Sequence, residues 1–398
     1  MANQTENIAD NHSLTALMPV YQRFPITLVK GKGSYVWDDK GDRYLDFTSG
    51  LAVCNLGHVP EAVTQALHRQ LDTLWHCSNL FHIPAQETLA QALTENSCAD
   101  QVFFCNSGAE ANEAAIKLAR KYAHTIAQSG RYEIVTFKQS FHGRTLATLT
   151  ATGQEKVQIG FNPLPDGFRY LPYNDFDALD QLNGEKTCAV MLELVQGEGG
   201  VVPADPAWIK ELARRCQEHG LLFIVDEVQT GMGRTGTLFA YEQYEVEPDI
   251  FTLAKGLGSG FPIGAMLAKK HVAQAFSPGS HASTFGGNPL AATAGLATLK
   301  EMLKPGFLDQ VQKQADYLRT GLEALAQTKR TVLKVRGKGL LQGLVLAEGE
   351  APKVMEAMRE HKVLVLLAGP QVLRILPPLT STEEEVDQFL AALERCLT

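Results

Sequence analysis

The chain lacks several features that would place it in other protein classes. It has no C-x-x-C pair. Its cysteines (Cys54, Cys77, Cys98, Cys105, Cys188, Cys216 and Cys396) are scattered and odd in number, which favours reduced thiols in a cytoplasm over a disulfide framework. It has no basic run able to track a phosphate backbone. The formal charge is −8, from 36 Lys and Arg against 44 Asp and Glu, so no nucleic-acid partner is expected. No apolar run approaches the roughly 20 residues that cross a bilayer, so no membrane partner is expected either. The first residues, Met1 to Asp10, are polar and acidic rather than basic then apolar, unlike a secretory signal. His76, Cys77 and His82 fit no common zinc spacing, and no second ligand pair follows, so no metal is expected. Internal repeats and low-complexity stretches are also missing.

What remains is ordinary globular composition. The 398 residues, 45% of them hydrophobic, suffice for a large core and more than one domain. Short β-type runs alternate with helical patterns between about residues 100 and 270. The strand candidates are Gln101–Cys105, Glu133–Phe137, Ala189–Leu194, Leu221–Val225, Ile250–Ala254 and Gly264–Ala268, with helices at Glu110–Ala123 and Ala207–Glu218. Most of the runs are apolar on both faces, as in a covered sheet, which predicts an α/β layer built on a mostly parallel sheet. In the C-terminal third, Val332–Arg336, Leu340–Leu346, Val363–Leu367 and Val372–Leu376 are strand-like. Helical patterns at Phe307–Leu325, Pro352–Glu360 and Glu383–Leu397 separate or follow them, which reads as a smaller α+β domain. Ser34-Tyr-Val-Trp-Asp and Arg43-Tyr-Leu-Asp-Phe, joined by a turn, give a hairpin signal. The expected division is an N-terminal segment over 1–50 packing with the small domain, a large domain over 51–286 and a small domain over 287–398.

Two apolar runs end in charge. Leu222-Phe-Ile-Val-Asp-Glu-Val-Gln delivers Asp226, and Phe251-Thr-Leu-Ala-Lys-Gly delivers Lys255, the only charged residue between Asp249 and Lys269. A poorly solvated amine deprotonates more easily and can attack a carbonyl to form an imine. An aspartate at the end of a neighbouring buried strand can hold a cationic ring nitrogen. The pair points to pyridoxal 5'-phosphate (PLP) carried on Lys255 as a Schiff base. The alternatives are a solvated strand end for Lys255 and the start of a polar loop for Asp226-Glu227.

Other segments fit a phosphate-bearing cofactor. Asn106-Ser-Gly-Ala-Glu follows a strand and opens a helix, where free N–H groups and the positive dipole end suit a phosphate; an ordinary cap by Ser107, with Glu110 at the third position, is the alternative. Ser283-Thr-Phe-Gly-Gly-Asn-Pro offers two hydroxyls beside a glycine pair, or a simple capped turn. In Phe141-His-Gly-Arg the ring can stack on a flat cofactor and Arg144 can clamp a carboxylate, unless both lie on a surface loop. Gly231-x-Gly233-x-x-Gly236 matches the dinucleotide fingerprint by letter only, because Asp226 to Thr230 separates it from the strand and no helical pattern opens on it.

In combination, these segments, with Gln196-Gly-Glu-Gly-Gly, resemble the class III aminotransferases. The resemblance runs from Phe24-Pro-Ile to Arg374-Ile-Leu-Pro-Pro-Leu. It implies the aspartate-aminotransferase-like fold type I, a PLP cofactor and a homodimer with shared active sites. It implies that Lys255 carries PLP and shuttles a proton, that Asp226 holds the pyridine nitrogen, that Gln229 binds the ring hydroxyl and that Phe141 covers the ring. It implies that Glu227 and Val228 are further cofactor contacts. Ser107 and Gly108 would hold the phosphate, joined by Thr284 from the partner subunit. Arg144 and Ser283 would bind an acylated substrate. Arg374 would take the α-carboxylate of 2-oxoglutarate, with Glu193 as a gate pairing with it. Ser78-Asn-Leu-Phe and Phe141-His-Gly-Arg point within the class to the branch that moves the terminal amino group of N-acetylornithine to 2-oxoglutarate in arginine biosynthesis. Ornithine, succinylornithine or 4-aminobutyrate as donor, or aminomutase or decarboxylase chemistry on the same scaffold, are the alternatives. Leu194 and Ala109 depart from the usual proline and threonine of the class. Leu51 stands near where relatives that act on free ornithine tend to carry a tyrosine, and its absence favours an acylated donor.

Overall fold

The computed structural model describes residues 16–398. The Met1 to Asp10 stretch and the start of the N-terminal segment lie outside the described residues. Seven strands form the central sheet. From edge to edge they are Gln101–Cys105, Gly264–Ala268, Ile250–Leu253, Leu222–Asp226, Thr187–Leu192, Glu133–Phe137 and Phe168–Leu171. Gly264–Ala268 runs antiparallel to both its neighbours and all other pairings are parallel. The mostly parallel sheet is therefore as expected. Thr187–Leu192, Leu222–Asp226 and Ile250–Leu253 are buried at every residue, because helices cover both faces. Phe168–Leu171 was not foreseen. It is a half-buried edge strand interrupted by Arg169, whose Nε pairs with Glu133 Oε1 at 3.0 Å, so no apolar run marked it.

The helices start where capping chemistry dictates. Ser107 accepts the Glu110 N–H at the head of Gly108–Thr125. Asp205 accepts the Ala207 and Trp208 N–H groups ahead of Pro206–His219, which has proline in its first turn and ends on a left-handed Gly220. Such a cap is worth about 1 kcal/mol. Trp208 from this helix is fully buried and meets Phe137 and Tyr173 edge-on, with ring centres 5.0 and 5.1 Å away. Truncating it to alanine would cost about 3–5 kcal/mol.

The two ends of the chain meet. The hairpin Tyr35–Asp38 and Arg43–Asp46, with Leu28–Lys32 outside it, is extended in parallel by Val363–Leu364. The run Val363–Leu367, read as one strand, is in fact two. Its second piece, Leu366–Leu367, joins Val372–Ile375 in the C-terminal sheet with Leu341–Leu346 and Val332–Lys338. The loop carrying Gly231, Gly233 and Gly236 is a bridge. Its Arg234 is fully buried, and the guanidinium donates to the carbonyls of Leu340 (3.1 Å) and Pro377 (2.5 Å) and to Asn55 Oδ1 (2.7 Å).

Candidate active site

A cavity of about 420 Å³ opens at the carboxyl ends of the central strands, where ligands of open α/β sheets bind. Of the residues singled out from sequence, Ser107, Gly108, Phe141, Arg144, Glu193, Asp226, Val228, Gln229 and Lys255 line it. They arrive on five different strand ends, which explains their wide spacing in sequence. Glu227, Ser283, Thr284 and Arg374 do not line it.

Asp226 lies at the floor, 4% exposed. Its Oδ2 accepts Asn112 Nδ2 and His142 Nδ1, both at 2.8 Å, and its Oδ1 accepts the Val228 N–H at 3.0 Å. Asn112 is itself fixed: its Oδ1 accepts the Thr252 hydroxyl at 2.7 Å, and its amide also donates to the His142 carbonyl at 2.7 Å. Asn112, His142 and Thr252 were missed. A polar residue in an alanine-rich helix reads as a surface position until the helix is packed against a sheet.

Lys255 follows the next strand. Asp226 stands opposite Thr252 in the parallel register, so the lysine emerges one short turn beyond the carboxylate. Lys255 takes a left-handed backbone, φ +39°, the kind of local strain that concentrates at functional sites. Burial, then the charge of Arg374, pushes its pKa below the usual lysine value, while Asp226, Glu198 and Glu193 pull it back. A lysine in this position yields its proton more readily than one in water.

At the start of the helix Gly108–Thr125 both sequence readings hold. Ser107 Oγ caps the Glu110 N–H at 3.2 Å and the Glu110 carboxylate accepts the Asn106 N–H at 2.6 Å. The first-turn N–H groups of Gly108 and Ala109 border the cavity. Arg144 is exposed, its guanidinium carbon 5.5 Å from the centre of the Phe141 ring.

Three expectations need correction. Arg374 does not pair with Glu193. It is 2% exposed, and its Nη1 donates to Glu198 Oε1 at 2.6 Å. Glu193 Oε2 instead accepts the Phe141 N–H at 2.9 Å. Burial first, then the Asp226 charge, drives the Glu193 pKa well above the carboxylate range. Glu198 lines the cavity with Arg374 behind it. A lone acid bracketed by glycines in Gln196-Gly-Glu-Gly-Gly was the available signal. Glu227 faces away from the cavity, as the neighbour of an inward-facing residue at a strand end does. Its carboxylate accepts the Thr230 hydroxyl (2.7 Å) and the Tyr241 N–H (2.9 Å), and burial pushes its pKa up to about 7. Ser283 does not enter the cavity of its own chain. Its Oγ accepts Asn106 Nδ2 at 3.3 Å and the Gly286 N–H at 3.0 Å. Thr284 beside it is exposed.

The family model of the class-III aminotransferases matches residues 17–397. The chain belongs to the class-III aminotransferases. This aminotransferase is 57% identical to the acetylornithine aminotransferase of Oceanobacillus iheyensis, over 96% of this chain and 95% of that one. Among solved structures it resembles N-acetylornithine aminotransferase from Stenotrophomonas maltophilia, at 40% identity and TM-score 0.82 over 94% of this chain and 96% of the other. It also resembles an ornithine aminotransferase from Toxoplasma gondii with PLP in partial occupancy at its active site, at 30% identity and TM-score 0.92 over 96% and 91%. The aminotransferase's cavity fits PLP. It joins a lysine prone to lose its proton, a fixed carboxylate, a helix start rich in free N–H groups and Gln229, whose buried Oε1 has no partner among the described residues.

Proposed function

We propose that this PLP-dependent transaminase moves the terminal amino group of N-acetylornithine to 2-oxoglutarate, giving N-acetylglutamate 5-semialdehyde and glutamate, as a step of arginine biosynthesis in the cytoplasm. The observation that carries the reading is the shared cavity of Lys255 and Asp226, with an arginine, Arg374, held in reserve behind a glutamate. The names of the relatives support the donor.

Lys255 would hold the cofactor by its amine, and Asp226 would hold the ring nitrogen. Gln229 would reach the ring hydroxyl, with Phe141 and Val228 against the ring, and the Ser107-Gly108 turn would hold the phosphate. When bound, the cofactor supplies an electron sink for the carbon that bears the transferred amine. The residues of the chain do the rest. Asn112, His142 and the Val228 N–H orient the Asp226 carboxylate. Lys255 Nζ, facing the cavity, would serve as the base that takes up and returns the proton of that carbon. Arg144 holds the carboxylate of the acylated donor. The gate belongs to Glu198: with a neutral methylene chain in the cavity it stays on Arg374, and with 2-oxoglutarate it yields Arg374 to the incoming carboxylate.

Thr284 would complete the phosphate site of a second copy. Trp75, Leu80, Phe81 and Phe285 are exposed near this loop, Leu80 by 89%, and Asn79 ties them to it by donating to the Ser283 and Gly286 carbonyls, each at 3.0 Å. An apolar patch of this kind supports a homodimer with shared sites. Among the described residues no helix is long and apolar enough to cross a membrane.

A donor screen with 2-oxoglutarate tests the reading. N-acetylornithine should exceed ornithine, succinylornithine and 4-aminobutyrate in kcat/KM by about tenfold or more. Ornithine or 4-aminobutyrate as the best donor would overturn it.

A further inference from the structure

The strands Val332–Lys338, Leu341–Leu346 and Val372–Ile375 place Arg336, Gly343 and Arg374 on one rung, each opposite the next. Residues directly opposite in antiparallel strands point to the same face, so two guanidinium groups flank a glycine. The chain segment that carries Glu198 crosses this rung at the glycine. A Cβ on Gly343 would lie 2.8 Å from Val201 Cβ, and a Cβ on Gly200 would lie 2.5 Å from Arg336 Nη2. Arg374 is paired with Glu198. Arg336 makes no hydrogen bond or ion pair among the described residues, and its buried Nε has no partner.

An unpaired, half-buried guanidinium is costly, and arginine cannot shed its charge. The segment beside it is glycine-rich and closely packed at one end, with Gly197 against Gln229 and Gly199 against Gln139, and anchored by an apolar residue at the other, so only the Glu198 side chain is free to change partners. Gly197, Gly199 and Gly200 surround Glu198, whereas Val201 is fully buried in an apolar cluster with Val195, Leu341 and Val372. Val201 is held there at φ +56°, unfavourable for a β-branched residue. The Arg336 guanidinium lies beside Gly200, two residues from Glu198 and so separated from it by at most about 7 Å of chain. Glu198 lines the cavity and neither arginine does while it stays on Arg374; once Glu198 moves, Arg374 opens to the substrate, and Glu198 is the group that can visit both arginines.

We propose that Arg336 is a positioning residue that receives the Glu198 carboxylate when 2-oxoglutarate takes Arg374, making the gate a two-position switch. This rests on the gate reading above. Without a second cation, release of Glu198 from Arg374 would leave a partly buried carboxylate unpaired. With one, the two positions are nearly balanced, and a dicarboxylate can shift the population by its own differential affinity.

The test is calorimetric titration of glutarate, a non-reacting dicarboxylate, into the PLP-loaded protein. Single-turnover reaction with N-acetylornithine runs in parallel. Arg336→Gln should weaken glutarate about tenfold, the scale of one charge-assisted hydrogen bond, and Arg336→Lys should restore most of the loss. The donor half-reaction should change by less than about twofold, on the same scale. In a Glu198→Gln background, Arg336→Gln should no longer affect glutarate. An equal loss in both backgrounds would mean that Arg336 meets the dicarboxylate itself, and would overturn the proposal. So would no loss with Glu198 present, or an equal loss for donor and glutarate. Glu198→Gln alone reports on the gate: unchanged glutarate affinity there would remove the gate reading, and the proposal with it.

Discussion

The two ends of the cavity are built differently. At the cofactor end, Asp226, Asn112, His142 and Thr252 form a closed set of short hydrogen bonds between buried groups on a helix, two strands and the loop after a third strand. At the substrate end, Arg144 is exposed, Glu198 is paired with Arg374, and Arg336 on the same rung has no partner among the described residues. A group that must stay in place through both half-reactions is held by elements that cannot shift. A group that must admit two unlike substrates is left with alternatives.

The contrast breaks first at Lys255. Lys255→Ala should lower turnover at least about 10³-fold, the scale of a lost acid–base group, and should remove the visible absorbance of the bound cofactor. Retention of either would mean that the rigid end is not where the chemistry happens. The next effect concerns Glu227, the buried acid on the far side of the same strand end. Its pKa is raised from 4.5 to about 7 by burial. Between those values the folded chain keeps this proton and the unfolded chain has lost it, so stability falls as pH rises through the window. The contribution is on the order of 3 kcal/mol. Glu227→Gln should flatten the dependence in urea unfolding between about pH 4.5 and about pH 8. An unaltered slope would show that the carboxyl does not titrate there. The smallest effect sharpens the comparison. Asn112→Ala removes the amide that holds Asp226 Oδ2 and joins it to Thr252, leaving only the direct 3.5 Å hydroxyl contact, without touching the cavity's substrate end. It should weaken PLP binding to the apoenzyme about tenfold, measured by fluorescence, the cost of a buried hydrogen bond. Glutarate binding to the saturated holoenzyme should be unaffected.

The rigid end was the more legible of the two. Lys255 and Asp226 announce themselves as lone charges ending apolar runs, because burial of a strand and a charge at its tip are both one-dimensional signals. The substrate end depends on how loops turn. Glu193 and Glu198 are both acids after the same strand, and only the path through Gly197 decides that Glu198 faces Arg374 while Glu193 turns to the Phe141 N–H. The same holds for the fold. Thr187–Leu192 and its neighbours could be read from apolar runs, whereas the splitting of Val363–Leu367 between two sheets could not, since both pieces carry the same apolar pattern.

That split strand has a consequence for how the chain is made. Backbone bonds run from the Leu45 N–H to the Lys362 carbonyl and from the Phe47 N–H to the Leu364 carbonyl, and Lys362 Nζ reaches Asp42, 320 residues back, at 2.6 Å. At a synthesis rate of about 5–20 residues per second, the first hairpin waits tens of seconds on the ribosome for its partner. Its open edge is unprotected for all of that time, the condition in which a strand edge is most open to pairing with another chain.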